Sequence, residues 1–128
     1  MESKNFLDFR KRLGRTQKEL AALLGVSLGA VSSYEQNTRA VPPHIERHIL
    51  YLISLKQHPN APFEKCWKML SCPKEQREHC PAWEFKSGTQ CWLINGTICH
   101  GHKQKTWREK IEICYNCEVL QRVLRKTE

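Results

Sequence analysis

The sequence predicts a mainly α protein in two small units. The first is a four-helix bundle containing a helix-turn-helix; the second is a cysteine-rich metal or cluster unit with a β-hairpin and a C-terminal helix. Two observations predict this. Through the first sixty positions apolar residues recur at helical spacing between capping residues and glycines. All seven cysteines and all four tryptophans (Trp67, Trp83, Trp92, Trp107) then fall in or beside the stretch from Cys66 to Cys117, and none of either precedes it. So sharp a change in composition sets a boundary near residue 60, with units expected at 1–57 and 66–128 and a linker over 58–65. Units this small bury little core and often rely on a metal or another staple.

In chain order, Phe6, Leu7, Phe9 and Leu13 define an amphipathic first helix that stops at Gly14, a natural C-cap. Thr16 caps a second helix over 17–24, with Glu19 placed to complete a capping box. Gly25-Val26 makes the turn, and Ser27 caps a third helix running to about Gln36. A fourth, from Pro43 to about Gln57, begins with proline in its first turn, where the missing N–H costs nothing. Two short helices joined by Leu24-Gly25-Val26-Ser27 are the mark of a helix-turn-helix, whose second helix enters the DNA major groove.

The stretches Thr16-Gln17-Lys18-Glu19-Leu20-Ala21, Leu24-Gly25-Val26-Ser27 and Val31-Ser32-Ser33-Tyr34-Glu35-Gln36-Asn37 closely resemble the XRE/Cro-type repressor family, over roughly residues 5–57. The resemblance implies a Cro-type bundle in which Gln17 and Asn37 bind phosphates and Arg10 pairs with Glu35. The base-facing positions are expected to be Leu28, Gly29, Ser32 and Ser33, next to the capping Ser27. None of the four can make the bidentate contacts that Arg, Asn or Gln make to base edges. Discrimination would therefore draw on DNA shape, on Arg39 beyond the helix and on dimer spacing. A double-stranded operator and a homodimer are the expected partners. A formal charge of +8 agrees with a nucleic-acid partner, although a basic soluble protein would carry it too. A bundle that serves only as scaffold is the alternative.

Met1 to Gly14 lacks the apolar core of a signal peptide, and the most apolar run, Ile49 to Leu55, is too short to span a membrane. The expected location is therefore the cytoplasm, where thiols stay reduced and clustered cysteines more often bind metal than form disulfides.

In the second unit, Cys80-Pro81-Ala82-Trp83, Cys91-Trp92, Gly96-Thr97-Ile98-Cys99 and Cys114-Tyr115-Asn116-Cys117-Glu118-Val119 resemble the two-CW cysteine-rich domain, over about residues 66–119. That resemblance implies metal or iron–sulfur binding. Cys91 to Ile94, Asn95-Gly96 and Thr97 to Cys99 read as a β-hairpin, which would turn Cys91 and Cys99 to opposite faces. A last helix is expected from about Thr106 through Leu124, with Cys114 and Cys117 one turn apart. Only this pair has the spacing of a zinc knuckle, and the tight ferredoxin run of cysteines is missing.

The expected ligands are Cys91, Cys99, Cys114 and Cys117, with Cys66, Cys72 and Cys80 as further candidates. Tryptophan cover favours an iron–sulfur cluster, of the 4Fe-4S type, over zinc or metal-free thiols. Lys103, Lys105, Arg108 and Lys110 would offset its negative charge, or simply lie in solvent. The chain is thus expected to be a DNA-binding regulator sensing redox state, oxygen or metal. A structural zinc site used for folding or partner docking is the alternative. Thiol–disulfide exchange at Cys114 and Cys117 is a lesser one, disfavoured by Glu112 and Glu118 nearby, and the chain is not expected to be an enzyme.

Overall fold

A computed structural model describes residues 1–58 and 63–125 of the chain; of the linker expected over 58–65, residues 59–62 lie outside the described residues. The chain divides into two compact units, Met1–Pro59 and Asn60–Glu128.

In the first unit α1 spans Ser3–Leu13 and ends on Gly14, whose left-handed φ of 67° lets its N–H return to the carbonyls of Arg10 and Lys11. The second helix, α2 (Gln17–Leu24), starts in a complete capping box: the Thr16 hydroxyl accepts from the Glu19 amide while the Glu19 carboxylate accepts from the Thr16 amide. Gly25, at φ 69°, ends α2 and turns the chain into α3 (Leu28–Glu35), capped by Ser27 through the Ala30 N–H. The long α4 (Pro43–Gln57) follows. Phe6, Phe9, Leu20, Leu24, Val31, Tyr34, Ile45 and Ile49 interlock as the core, with Phe6 and Tyr34 meeting edge to face at 5.4 Å. Leu23 and Leu55, which extend the apolar pattern of α2 and α4, are exposed instead.

The second unit begins with three single-turn helices, α5 (Cys66–Met69), α6 (Lys74–Arg77) and α7 (Pro81–Glu84). Two of them end alike. Ser71 after α5 and Lys86 after α7 adopt left-handed backbone (φ 51° and 53°), and the next residues, Cys72 and Ser87, close the turn onto the carbonyls of Trp67 and Ala82. Cys91–Leu93 then forms a 3₁₀ turn, followed by β1 (Ile98–Cys99), β2 (His102–Lys103), α8 (Trp107–Tyr115) and α9 (Glu118–Leu124).

Two sequence expectations are corrected here. The hairpin exists, but its turn is His100-Gly101 and not Asn95-Gly96: both of its turn residues have positive φ (54° and 78°), and Cys99 pairs with His102. Asn95-Gly96 still turns the chain, but Cys91 and Trp92 before it coil into the core rather than extending as a strand, and both are buried. The last helix is not continuous either. It breaks at Asn116, so Cys117 stands in extended backbone as the N-cap of α9 rather than inside a helix. Val119, Leu120 and Val123 of α9 are buried, and Leu124 is half-buried.

Candidate functional site

Five of the seven cysteines, Cys66, Cys72, Cys80, Cys91 and Cys99, line one cavity of about 240 Å³. The short helices bring them there. Cys66 opens α5, Cys72 follows its closing turn, Cys80 caps α7, Cys91 opens the 3₁₀ turn and Cys99 ends β1. Trp67 and Trp83 form part of the wall, edge to face at 4.9 Å. The Arg77 guanidinium lies 4.7 Å and the Lys86 ammonium 4.1 Å from the centre of the Trp83 ring, so that indole is held by cation–π contacts as well as by packing.

Gly88 fixes the mouth of α5. Its carbonyl accepts from the Cys66 N–H at 2.8 Å, and a Cβ placed on it would stand 2.7 Å from Trp67 Cζ3 and 2.8 Å from Lys65 Cβ. Gly88→Ala is therefore expected to cost about 1–3 kcal/mol, by the overpacking rule, and to displace Cys66 and Trp67 together. A lower melting temperature with unchanged helix content in residues 1–58, read by circular dichroism and amide exchange, checks this.

Several cavity sulfurs already receive hydrogen bonds of the kind that favour a thiolate. Cys80 Sγ accepts from the Ile98 N–H at 3.3 Å, and Cys99 Sγ lies 3.1 Å from the Thr97 hydroxyl. The Cys91 S–H donates to the Cys66 sulfur. That bond, helped by the Trp67 amide, Arg122 and Lys110, brings Cys66 down to about 7 against the effect of burial. Cys91, as the donor and the more buried of the two, is pushed well up. Burial raises Cys72, with the nearby sulfurs of Cys80, Cys66 and Cys99 adding to it.

Cys114 and Cys117 do not line the cavity; both are buried beside it in α8 and at the start of α9. Burial pushes Cys114 up to about 11, partly offset by Lys110, and also raises Cys117. Thiols so protonated make poor nucleophiles, which weighs against disulfide exchange at this pair. Among the described residues, no three Cys, His, Asp or Glu side chains stand close enough together to hold one metal ion. Four thiolates on a single zinc, at about 2.3 Å each in a tetrahedron, would sit only about 3.8 Å apart. Sulfurs spread round a cavity suit a multi-iron cluster better, because there each thiolate binds a different iron.

The other candidate surface lies on α2 and α3. Leu28, 49% exposed, and Gly29 stand out from the start of α3, with Ser32 and Ser33 half-exposed behind them. Ser27 is occupied as the cap, and Ser32 Oγ accepts from Gln36 Nε2 at 3.1 Å. Asn37 leaves α3 in the left-handed region (φ 60°), exposed, and Arg39 is exposed beyond it. Arg10 Nε donates to Glu35 Oε1 at 2.5 Å, the pairing that the family resemblance implies. Gln17 Nε2 donates to the other oxygen of the same carboxylate, which leaves its second amide hydrogen for a phosphate.

Residues 7–45 match the family model described as helix-turn-helix. With the capped α2–turn–α3 geometry, this makes the N-terminal unit a helix-turn-helix and supports DNA binding and transcription regulation by it. No curated protein and no solved structure matches the chain. Among the described residues no helix is long and apolar enough to cross a membrane.

Sequence reading missed two buried polar residues beside the cysteines, Thr97 and Gln104, and did not anticipate that Lys110 is buried with them. Of the four basic residues considered as charge partners, Lys103, Lys105 and Arg108 are exposed and only Lys110 is buried. A signal was present. Trp107, Lys110, Ile111 and Cys114 follow helical spacing, which places Lys110 in the buried stripe of α8.

Proposed function

We propose that the protein is a cytoplasmic, homodimeric DNA-binding transcription regulator whose cysteine-rich unit holds an iron–sulfur cluster and senses redox state, oxygen or metal through it. The observation that carries this reading is the cavity with five cysteines on its wall. The ligands proposed from it are Cys66, Cys72, Cys80 and Cys99, four of the sulfurs on its wall. Cys91 then serves as a hydrogen-bond donor to Cys66. This set shares only Cys99 with the four expected from spacing. When bound, such a cluster supplies one-electron chemistry and sensitivity to oxidant. The chain's own part is to present thiolates, to donate hydrogen bonds from Ile98 and Thr97, and to shield the sulfurs with Trp67 and Trp83.

Gln17, Asn37 and Arg39 are proposed to contact phosphates, and Ser27, Leu28, Gly29, Ser32 and Ser33 to face the bases. A change in the sulfur site would alter the spacing of two helix-turn-helix units and so their affinity for an operator. The test is anaerobic purification, with iron, sulfide and zinc analysis, followed by operator selection from random duplexes before and after exposure to air. Iron and sulfide near stoichiometric, with affinity changed by air, is the expected result. Zinc in place of iron, with equal affinities, would instead indicate a structural metal site.

A further inference from the structure

Lys110 lies on α8 with none of its surface exposed, yet among the described residues it forms no ion pair with a carboxylate. A buried ammonium is costly unless something nearby carries negative charge. The groups around it that can do so are sulfurs. Cys114 stands one turn along α8 and is favoured toward its charged form by Lys110, and Cys66 and Cys91 feel the same charge.

Its ammonium also donates to Thr97 Oγ1 at 2.8 Å. Having no acceptor of its own, the ammonium must be the donor there, so the single Thr97 proton is left for another neighbour. Two are in reach: Gln104 Oε1 at 3.3 Å and Cys99 Sγ at 3.1 Å. Gln104 is held in place by its own Nε2, which donates to the His102 carbonyl at 2.9 Å. Thr97 and Gln104 are both buried, so water does not compete for these bonds. The ammonium is thus linked through one hydroxyl to a sulfur on the cavity wall, and it lies one helical turn from the buried Cys114.

We propose that Lys110 is the counter-charge of the cysteine site, a positioning residue that favours negative charge on sulfur, at Cys99 through the Thr97 hydroxyl and at Cys114 directly. In its cluster-tuning form this deepens the functional reading above and rests on it. A fixed positive charge and an added hydrogen bond both stabilise the more negative state of a thiolate-ligated group, so they raise its reduction potential.

The test compares the full-length wild type with Lys110→Met, which keeps the volume and removes the charge, Lys110→Arg, which keeps the charge, and Thr97→Val, which removes the linking hydroxyl and leaves the Lys110 charge in place. After anaerobic reconstitution with ferrous iron and sulfide, Lys110→Met is expected to retain about 10–100-fold less iron at equal chelator, the scale of outer-shell changes at metal sites. What cluster remains should have a more negative potential, with Thr97→Val shifting in the same direction. Removing the chelatable metal should leave Lys110→Met at least as heat-stable as wild type, because a buried charge without its partner has been replaced by an apolar chain.

Unchanged retention and potential in Lys110→Met would overturn the proposal. If the wild type takes up neither iron–sulfide nor Co²⁺ added as a thiolate probe, the cluster reading fails by itself. The proposal is then decided by iodoacetamide labelling of Cys99 in the reduced protein, resolved by mass spectrometry at one pH. At least about 10-fold slower labelling in Lys110→Met, with the rate kept in Lys110→Arg, supports it, in line with a pKa unit being a factor of ten. Equal rates overturn it.

Discussion

Cys80→Ser and Cys99→Ser are each expected to lose bound iron and sulfide, whereas Cys117→Ser keeps them. The contrast follows from position. Cys80 and Cys99 line the cavity, where Cys80 accepts from the Ile98 amide and Cys99 Sγ lies 3.1 Å from the Thr97 hydroxyl, while Cys117 lies outside the lining. A serine oxygen is a harder and much weaker ligand for iron than a thiolate. Outer-shell changes alone cost about 10–100-fold in metal affinity, so loss of a ligand should exceed that. Iron per protein after gel filtration, with the visible spectrum, is the measurement. The helices of residues 1–58 should persist in every variant, so DNA binding at low salt should survive, and only its response to air should vanish. Retention by Cys80→Ser, with loss in Cys99→Ser, Cys114→Ser and Cys117→Ser, would restore the ligand set expected from the sequence.

The two units differ in how much of them could be read from the chain, and the reason is the range of the interactions involved. Thr16 with Glu19, Ser27, Gly14, Gly25 and Pro43 each act on their own helix end, within four residues, so the four N-terminal helices follow from local chemistry. In the second unit the local signals compete with burial. Asn95-Gly96 is the stronger turn dipeptide, yet a strand over 91–94 would leave Cys91 and Trp92 on opposite faces; as a 3₁₀ turn the segment buries both. The hairpin moves to His100-Gly101, where histidine accepts a left-handed backbone. The break in the last helix had a local sign in Asn116, which caps α8 and whose amide donates back to the Glu112 carbonyl at 2.9 Å.

The cysteine site was legible as a composition and not as a constellation. Seven thiols in one stretch announce soft-metal or redox chemistry, but which of them converge depends on closures between residues far apart in sequence. The Ile98 amide reaching Cys80 is one such closure, and the Gly88 carbonyl receiving Cys66 is another. Spacing rules favour neighbours such as Cys114 and Cys117, and here those neighbours are buried without lining the cavity. Lys110 shows the same limit from the other side. Its place in the α8 stripe was readable, but a buried lysine makes sense only once Thr97, Cys99 and Cys114 are seen around it.

Arg10→Met is expected to lower the stability of the N-terminal unit by about 2–3 kcal/mol. Glu35 is the reason. Its side chain is 5% exposed and takes Arg10 Nε on one oxygen and Gln17 Nε2 on the other. Removing the cation leaves a nearly buried carboxylate with one neutral donor, a loss of about 3–5 kcal/mol for fully buried pairs. The Arg10 side chain is 18% exposed, so water offsets part of this. Arg10 also ties the α1–α2 connection through Nη1 to the Arg15 carbonyl at 3.0 Å, so its loss loosens the approach to α2 as well. For a unit of this size the change corresponds to a fall in melting temperature on the order of 10–20 °C. Adding Glu35→Leu should recover much of it, because an apolar pair tolerates burial where a lone carboxylate does not. A double-mutant cycle on the melting transition separates the pair from its surroundings. The double variant also frees Gln17 from the carboxylate. If Gln17 binds phosphate, affinity for DNA should hold or rise once the fold is restored, and a shift below about 0.5 kcal/mol in Arg10→Met alone would show that the Arg10–Glu35 bond behaves as an exposed surface pair.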